Sequence, residues 1–432
     1  MVIVGVLLGL TAGLATACAS GTRGHHPSGP ALPQALVSAA PVPTQGHWIA
    51  SWSASPEAAP PATPFAGGFR DQTIRNVIYT SAGGSLVRVR LDNTFGGRAL
   101  EVALAAIAVA GPGAAVLPGT SVLLSFVGRR STVIPSGDQT FSDPVHLEVR
   151  PLERLAVSLF LPGATGPPTE HDDTHESNYL AAGDRVLADR ATGWGSPLDP
   201  WYFASGLDVW SSDRGAVVAL GDSITNGEGS VTGANASWLD DLARRLAALP
   251  GATLSVVDAG IDGNRVVLSP TSCCGPSAVA RFQRDVGRQS GVAEVIVLEG
   301  IDDITSNSST NPLAVPHVNV SAREITAAYQ QLISRAHAAG LKIFGSTLTP
   351  FAGSEFWTPA GETKRGAVNA WIRSSSAFDG VIDFARVLAD PNDPVRLNPR
   401  FDDGDHEHPN AAGYRAMADA INLLMLTSAI SR

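Results

Sequence analysis

Cysteine is scarce in this chain of 432 residues: there are three, so no cysteine framework holds the fold together. Charge is also thin. Only 16% of residues are charged, against roughly 25% in typical soluble proteins. What charge there is falls on the acidic side, with a formal net charge of −10. A field of that sign repels nucleic acid and anionic membrane surfaces, which excludes both as main partners. No internal repeat is visible. The apolar run from Val2 to Ala17 is shorter than the roughly 20 residues a membrane span needs. It has no positively charged start, which leaves room for a beginning upstream of Met1.

What is present is 44% hydrophobic residues, together with 44 glycines and 30 prolines, the composition of a loop-rich globular protein with sizeable cores. The run to Ala17 ends in Ala15-Thr16-Ala17, a small-residue cleavage pattern, and residues 1–17 read as an export signal. "LATAC" resembles a bacterial lipoprotein lipobox, which implies lipidation of Cys18 and anchoring at the cell surface. Ordinary cleavage after Ala17 and secretion is the alternative. Membrane contact is expected only through such an anchor. Residues 18–46, rich in Gly, Pro, Ser and Ala, read as a flexible tether.

Two patterns follow. Over residues 47–200, short Val-, Leu- and Ile-rich segments separated by Gly, Pro and Asp turns predict an antiparallel β-sandwich. In "SLVRVRLD", Val87, Val89 and Leu91 should face the core and Arg88 and Arg90 the solvent. Over residues 213–432, apolar runs alternate with helical segments, which predicts a doubly wound parallel sheet with ligands binding beyond the carboxyl ends of its strands. One helix, "SWLDDLARRLAALP", carries Trp238, Leu239, Leu242, Leu246 and Leu249 on a single face.

"GDSIT" follows the first apolar run of that second region. Asp222 and Ser223 suit a capped turn, and Ser223 at the ligand-binding edge also suits a nucleophile. A nucleophile needs a base and the base an orienter. "DDGDHEHPN" offers both: Asp405 and His408 stand three apart, with His406 as a competing base, while a solvated acidic loop or a helix cap by Asn410 is the structural alternative. The acids and histidines there match no calcium or zinc loop spacing, and neither a metal nor a cofactor is expected. "HDDTHE", from His171 to Glu176, has two histidines four apart but no third ligand at standard spacing, and reads as a loop closing over the site. Cys273 and Cys274 are adjacent. Neighbouring Cα atoms about 3.8 Å apart fall below the usual disulfide range, so two free thiols are expected and a vicinal bridge is the alternative.

From Gly215 onward the chain resembles the SGNH (GDSL) esterase and lipase family, on "GDSIT", on "VVDAGIDGNRV" with Gly263, on "EGIDDI" with Gly300 and Asp303, and on the terminal "DHEHP". The resemblance implies a flavodoxin-like fold and acyl transfer by a triad of Ser223, His408 and Asp405. It also implies an oxyanion hole from Ser223, Gly263 and the residue at 302. That residue is an aspartate where the family has an asparagine. Ionised, Asp302 would oppose the oxyanion; protonated by burial and by neighbouring Asp303, it could donate. The substrate implied is a small-molecule or glycan ester, short-chain or acetyl. The alternative is a catalytically weakened lipoprotein that binds glycan.

Overall fold

Beside a three-stranded and a two-stranded sheet, the period-two segments before residue 212 pair into two larger antiparallel sheets. One runs in the order His47–Ser53, Ala204–Ser211, Gly84–Asp92, Val145–Val149, and the other Tyr179–Ala182, Gln72–Tyr79, Arg154–Leu161, Leu104–Val109, Val122–Leu123. Their facing sides share one core, in which Val87, Val89 and Leu91 meet Ile74, Ile78, Leu155, Val157 and Leu159. The computed structural model describes residues 39–427 except 62, 252 and 313. The expected export signal, Cys18 and the tether up to residue 38 lie outside the described residues. Residues 201–212, between the two expected domains, supply the Ala204–Ser211 strand, which pairs with both His47–Ser53 and Gly84–Asp92.

One expectation fails in this sheet. Arg90 is buried, not solvent-facing: its guanidinium donates to the hydroxyl and carbonyl of Ser205 and to Gln289 Oε1. Arg88 is partly exposed and pairs with Asp208 at 2.8 Å. The reason is that the outer face of the sheet is covered by the following region, through Gln289 and Ser290. Period-two alternation marks one face as core, but says nothing about what packs on the other.

After Gly215 the main sheet is parallel, with one small antiparallel pair, Ala389–Asp390 and Asp393–Leu397, outside it. Five strands lie in the order Leu254–Gly260, Gly215–Gly221, Val292–Leu298, Lys342–Ser346, Gly380–Ile382. That is the 2-1-3-4-5 order of a flavodoxin-like sheet. Along the first strand in sequence, Ala216, Val218 and Leu220 point to the face covered by Ile325, Tyr329 and Leu332, while Val217 and Ala219 point to the face covered by Trp238, Leu242 and Tyr414. The Trp238–Ala247 helix buries Trp238, Leu239, Leu242 and Leu246 as its spacing predicts, with Ser237 and Asp240 forming a capping box. Leu249 falls past the helix end and is exposed. Burial on both faces makes the strand-end edge the open side of this sheet.

Candidate active site

The nucleophile position is built by a strand that stops abruptly. Gly221 ends the first parallel strand, and a Cβ there would lie 2.1 Å from Thr225 Oγ1 and 2.4 Å from the Leu298 carbonyl, so only glycine fits. Asp222 caps the short Ser223–Asn226 helix by accepting the Ile224 N–H at 3.1 Å. The capping reading and the nucleophile reading therefore fall on different residues. Asp222 closes the turn, and Ser223 is turned toward the histidine.

Ser223 Oγ lies 2.8 Å from His408 Nε2. On the other side of the ring, His408 Nδ1 lies 2.5 Å from Asp405 Oδ2. The second Asp405 oxygen accepts the backbone N–H groups of Glu407 and His408, which is what a spacing of three on a tight turn achieves. His406 is excluded from this line: its ring turns to Asp402 at 2.6 Å. Asn410 does cap a helix, Ala411–Ala420, accepting from Ala412 and Gly413.

These residues face a cleft of about 360 Å³ lined also by Gly263, Asp302, Asp173, Glu228, Asp262 and Glu407. Gly263 turns in the left-handed region at φ 67°. Asp302 stands in the first turn of the Ile301–Thr305 helix, and its Oδ2 is buried without a hydrogen-bond partner. Its neighbour Asp303 is committed elsewhere, accepting the N–H groups of Val266 and Val267 at 2.7 and 3.1 Å. All the expected site residues among those described thus reach one cleft.

Electrostatically the cleft is acidic. Burial, then the charges of Asp222, Glu407 and Asp303, raise the Asp302 carboxyl well above its ordinary value. For the His408–Asp405 pair, burial disfavours the imidazolium, but the Asp405 hydrogen bond and charge outweigh it, aided by Glu407 and Asp262. His408 is thereby raised above 6.5. Among the described residues three groups of carboxylates and histidine bring ligand atoms within 4.8 Å of one another; Asp173, Glu228 and Asp262 form the one lying wholly along the cleft wall.

Arg281 and Asn226 carried no signal in the sequence. Arg281 is fully buried beneath the nucleophile, donating to the carbonyls of Gly221 at 2.8 Å and Ala259 at 2.6 Å and to Asn264 Oδ1 at 2.9 Å. As one arginine on an amphipathic helix it looks like any other. His171 bridges Ser55 O and Asn226 Oδ1, and Asn226 in turn donates to Asp262. The "HDDTHE" segment forms part of the cleft wall through Asp173. Cys273 and Cys274 are joined in a vicinal disulfide, against the expectation of free thiols. Cys274 takes a left-handed φ of 64°, and its sulfur packs where a Cβ on Gly263 would come within 3.0 Å.

Residues 219–416 match the GDSL-like Lipase/Acylhydrolase family. No curated protein is matched. Among solved structures, the chain is similar to a putative lipolytic protein of the G-D-S-L family from Desulfitobacterium hafniense, at 19% identity over 48% of this chain and 96% of that one, with a TM-score of 0.35. A GDSL-like lipase from Bacteroides thetaiotaomicron gives 18% identity, 50% and 89% coverage and a TM-score of 0.37. An aryl esterase from M. smegmatis gives 15%, 48% and 95%, and 0.37. The C-terminal half of the chain is a GDSL-like lipase/acylhydrolase domain, of a carboxylic ester hydrolase family, and an antiparallel β-rich region precedes it.

Proposed function

We propose that the protein is an exported serine esterase that hydrolyses short-chain or carbohydrate acyl esters, acetyl esters foremost. The observation that carries this reading is the unbroken line from Ser223 Oγ through His408 to Asp405, at 2.8 and 2.5 Å. His408 takes the Ser223 proton as the hydroxyl attacks the ester carbonyl, and returns it to the leaving alcohol. Asp405 holds the Nδ1–H tautomer and stabilises the imidazolium. The oxyanion is received by the backbone N–H groups of Ser223 and Gly263 and, while its carboxyl is protonated, by Asp302, which burial and its acidic neighbours raise well above the ordinary value and whose Oδ2 has no other partner. Water then releases the acyl group by the same route.

A polar alcohol is favoured by the carboxyls, Thr305, Ser306, Ser309 and Asn311 of the cleft, and a short acyl group by the apolar surface that Ala314 and Phe356 lend it. Export rests on the apolar run before Ala17 and anchoring on Cys18. The aspartate at 302 also favours a second reading, a glycan-binding lipoprotein with a weakened hydrolase domain.

A fluorophosphonate probe and a panel of nitrophenyl esters from acetyl to long-chain, with acetylated sugars, separate the two. The esterase reading expects labelling that vanishes in Ser223→Ala and turnover that falls with acyl length. No labelling of the wild type, with labelling gained in Asp302→Asn, would overturn it in favour of the weakened domain.

A further inference from the structure

Beside the catalytic cleft lies a second chamber of about 250 Å³, and the two share Asp173, Asp262, Gly263, Cys274 and Asn311 as a common wall. We propose that this chamber is a subsite for a cationic ammonium group carried by the ester substrate. The inference rests on the esterase reading above and names a substrate class for the same site.

Among the described residues the chamber is lined by five carboxyls, Glu57, Glu170, Asp172, Asp173 and Asp262, and by no lysine, arginine or histidine. Four of the five come from the antiparallel region, and Asp262 comes from the other half. Glu57 and Glu170 sit directly opposite each other on an antiparallel pair of strands. Like charges in that position repel, and an apolar pair would have served the fold better. Glu170 is 2% exposed, and neither of its oxygens meets a donor at hydrogen-bonding geometry. The Tyr202 phenol is the one side-chain donor near enough to favour its charge. A buried carboxyl left in this state lacks a partner that a ligand would supply.

Burial first, and then the charge of Asp172, push Glu57 and Glu170 each up to about 8. Burial and the same Asp172 push Asp173 up to about 7. In the free protein, protons therefore occupy the place of a counter-ion. The cations behind Glu57 are Arg281 and Arg284, and both are already bound to Asp285, at 3.3 and 2.5 Å. A neutral polyol would find acceptors here, but only a cation also relieves the repulsion among the carboxyls. An ammonium is therefore the better fit.

The test uses two isosteric pairs on the full chain at mildly alkaline pH. Acetylcholine against neohexyl acetate places the charge on the alcohol, and the aminohexanoyl against the heptanoyl nitrophenyl ester places it on the acyl group. The readout is the ratio of kcat/KM within each pair, from which loss of folded enzyme cancels. In at least one pair the cation should be preferred about tenfold or more, through charge attraction alone for the quaternary ammonium and through a charge-assisted hydrogen bond as well for the primary one, and Glu170→Gln and Glu57→Gln should each reduce that ratio several-fold. Ratios near one in both pairs, with the neutral esters turned over, would overturn the subsite and leave the esterase reading standing. No turnover and no Ser223 labelling would defeat the esterase reading, and the subsite with it. A ratio near one combined with a calcium-induced rise in Tm that Glu170→Gln abolishes would reassign the chamber to a divalent metal and overturn the proposal.

Discussion

The two halves of the molecule each bury an arginine completely, and they do it in opposite ways. In the antiparallel half, Arg75 reaches Ser158 Oγ at 2.9 Å and the carbonyls of Ala114 and Ala188, and stacks on Trp194 at 4.2 Å. Its bonded partners are neutral, and burial lowers it to about 10. In the parallel-sheet half, Arg281 sits among carboxylates, 3.3 Å from Asp285 and 3.6 Å from Glu299, and clips the strand end that carries the nucleophile. Arg75 closes loops over a finished core. Arg281 offsets a surplus of buried acid at the place where chemistry is to happen.

That surplus is considerable. Asp222, Glu299, Asp302 and Asp303 all lie at the strand ends, and each is raised by burial before any other cause. A core selected for stability alone would replace them with apolar groups. Their retention marks this edge as a functional region, where strain against the solvent-free environment is tolerated because it tunes protonation.

The comparison can be broken or sharpened by experiment. The largest effect is expected from Ser223→Ala: ester turnover should fall about 10⁴-fold or more with Tm nearly unchanged, since only a hydroxyl facing His408 is lost. Turnover that survives would remove the site from this cleft. Asp302→Asn comes next. An amide donates at every pH, whereas the carboxyl donates only while protonated, so the variant should match the wild type in acid and exceed it by up to about 10²-fold in alkali. A variant that is slower than wild type at all pH values would show that Asp302 is no oxyanion donor.

Replacing the two arginines tests the contrast itself. Arg281→Met leaves Asp285 and Glu299 short of a buried partner and should cost about 3–5 kcal/mol in urea unfolding, with a fall in kcat in the protein that remains folded. Arg75→Met should cost about 1–3 kcal/mol and leave kcat untouched. Equal kcat in both variants would mean that Arg281 is only structural.

Two smaller effects follow from protonation. The base must be neutral to accept a proton, so kcat/KM should rise with pH through a midpoint above the ordinary 6.5 of histidine. Glu407 is one of the charges that raise it, and Glu407→Gln should move that midpoint down. For stability, Asp222, Asp258 and Asp303 have folded values near 7 against 3.8 for the free group. The folded state then holds more protons than the unfolded one between these values. Stability from these groups is fully present below 3.8 and lost as pH rises through about 7, so Tm should decline from pH 5 to pH 8.

Much of this was legible because local rules govern it. The parallel sheet shows in the alternation of apolar runs and helices, and Ser223, Asp405 and His408 show in motifs whose spacing closes short turns. Gly221 and Gly263 mark backbone that no other residue fits or that turns left-handed. Arg90, by contrast, sits in a perfect alternating strand and is buried only because another half of the chain lies over it. The cysteine pair follows the same lesson: adjacency argued against a bridge, and a left-handed turn at Cys274 allowed it.

By itself, then, the sequence determined the local geometry: which segments are strands, where each ends, and which nucleophile, base and orienter types stand at those ends. The tertiary structure alone decided the electrostatics, because burial and like-charge proximity act through space between residues far apart in the chain. It placed Arg281 under Gly221, set Glu57 opposite Glu170, and brought the partly buried Asp302 close to Asp222, Glu407 and Asp303.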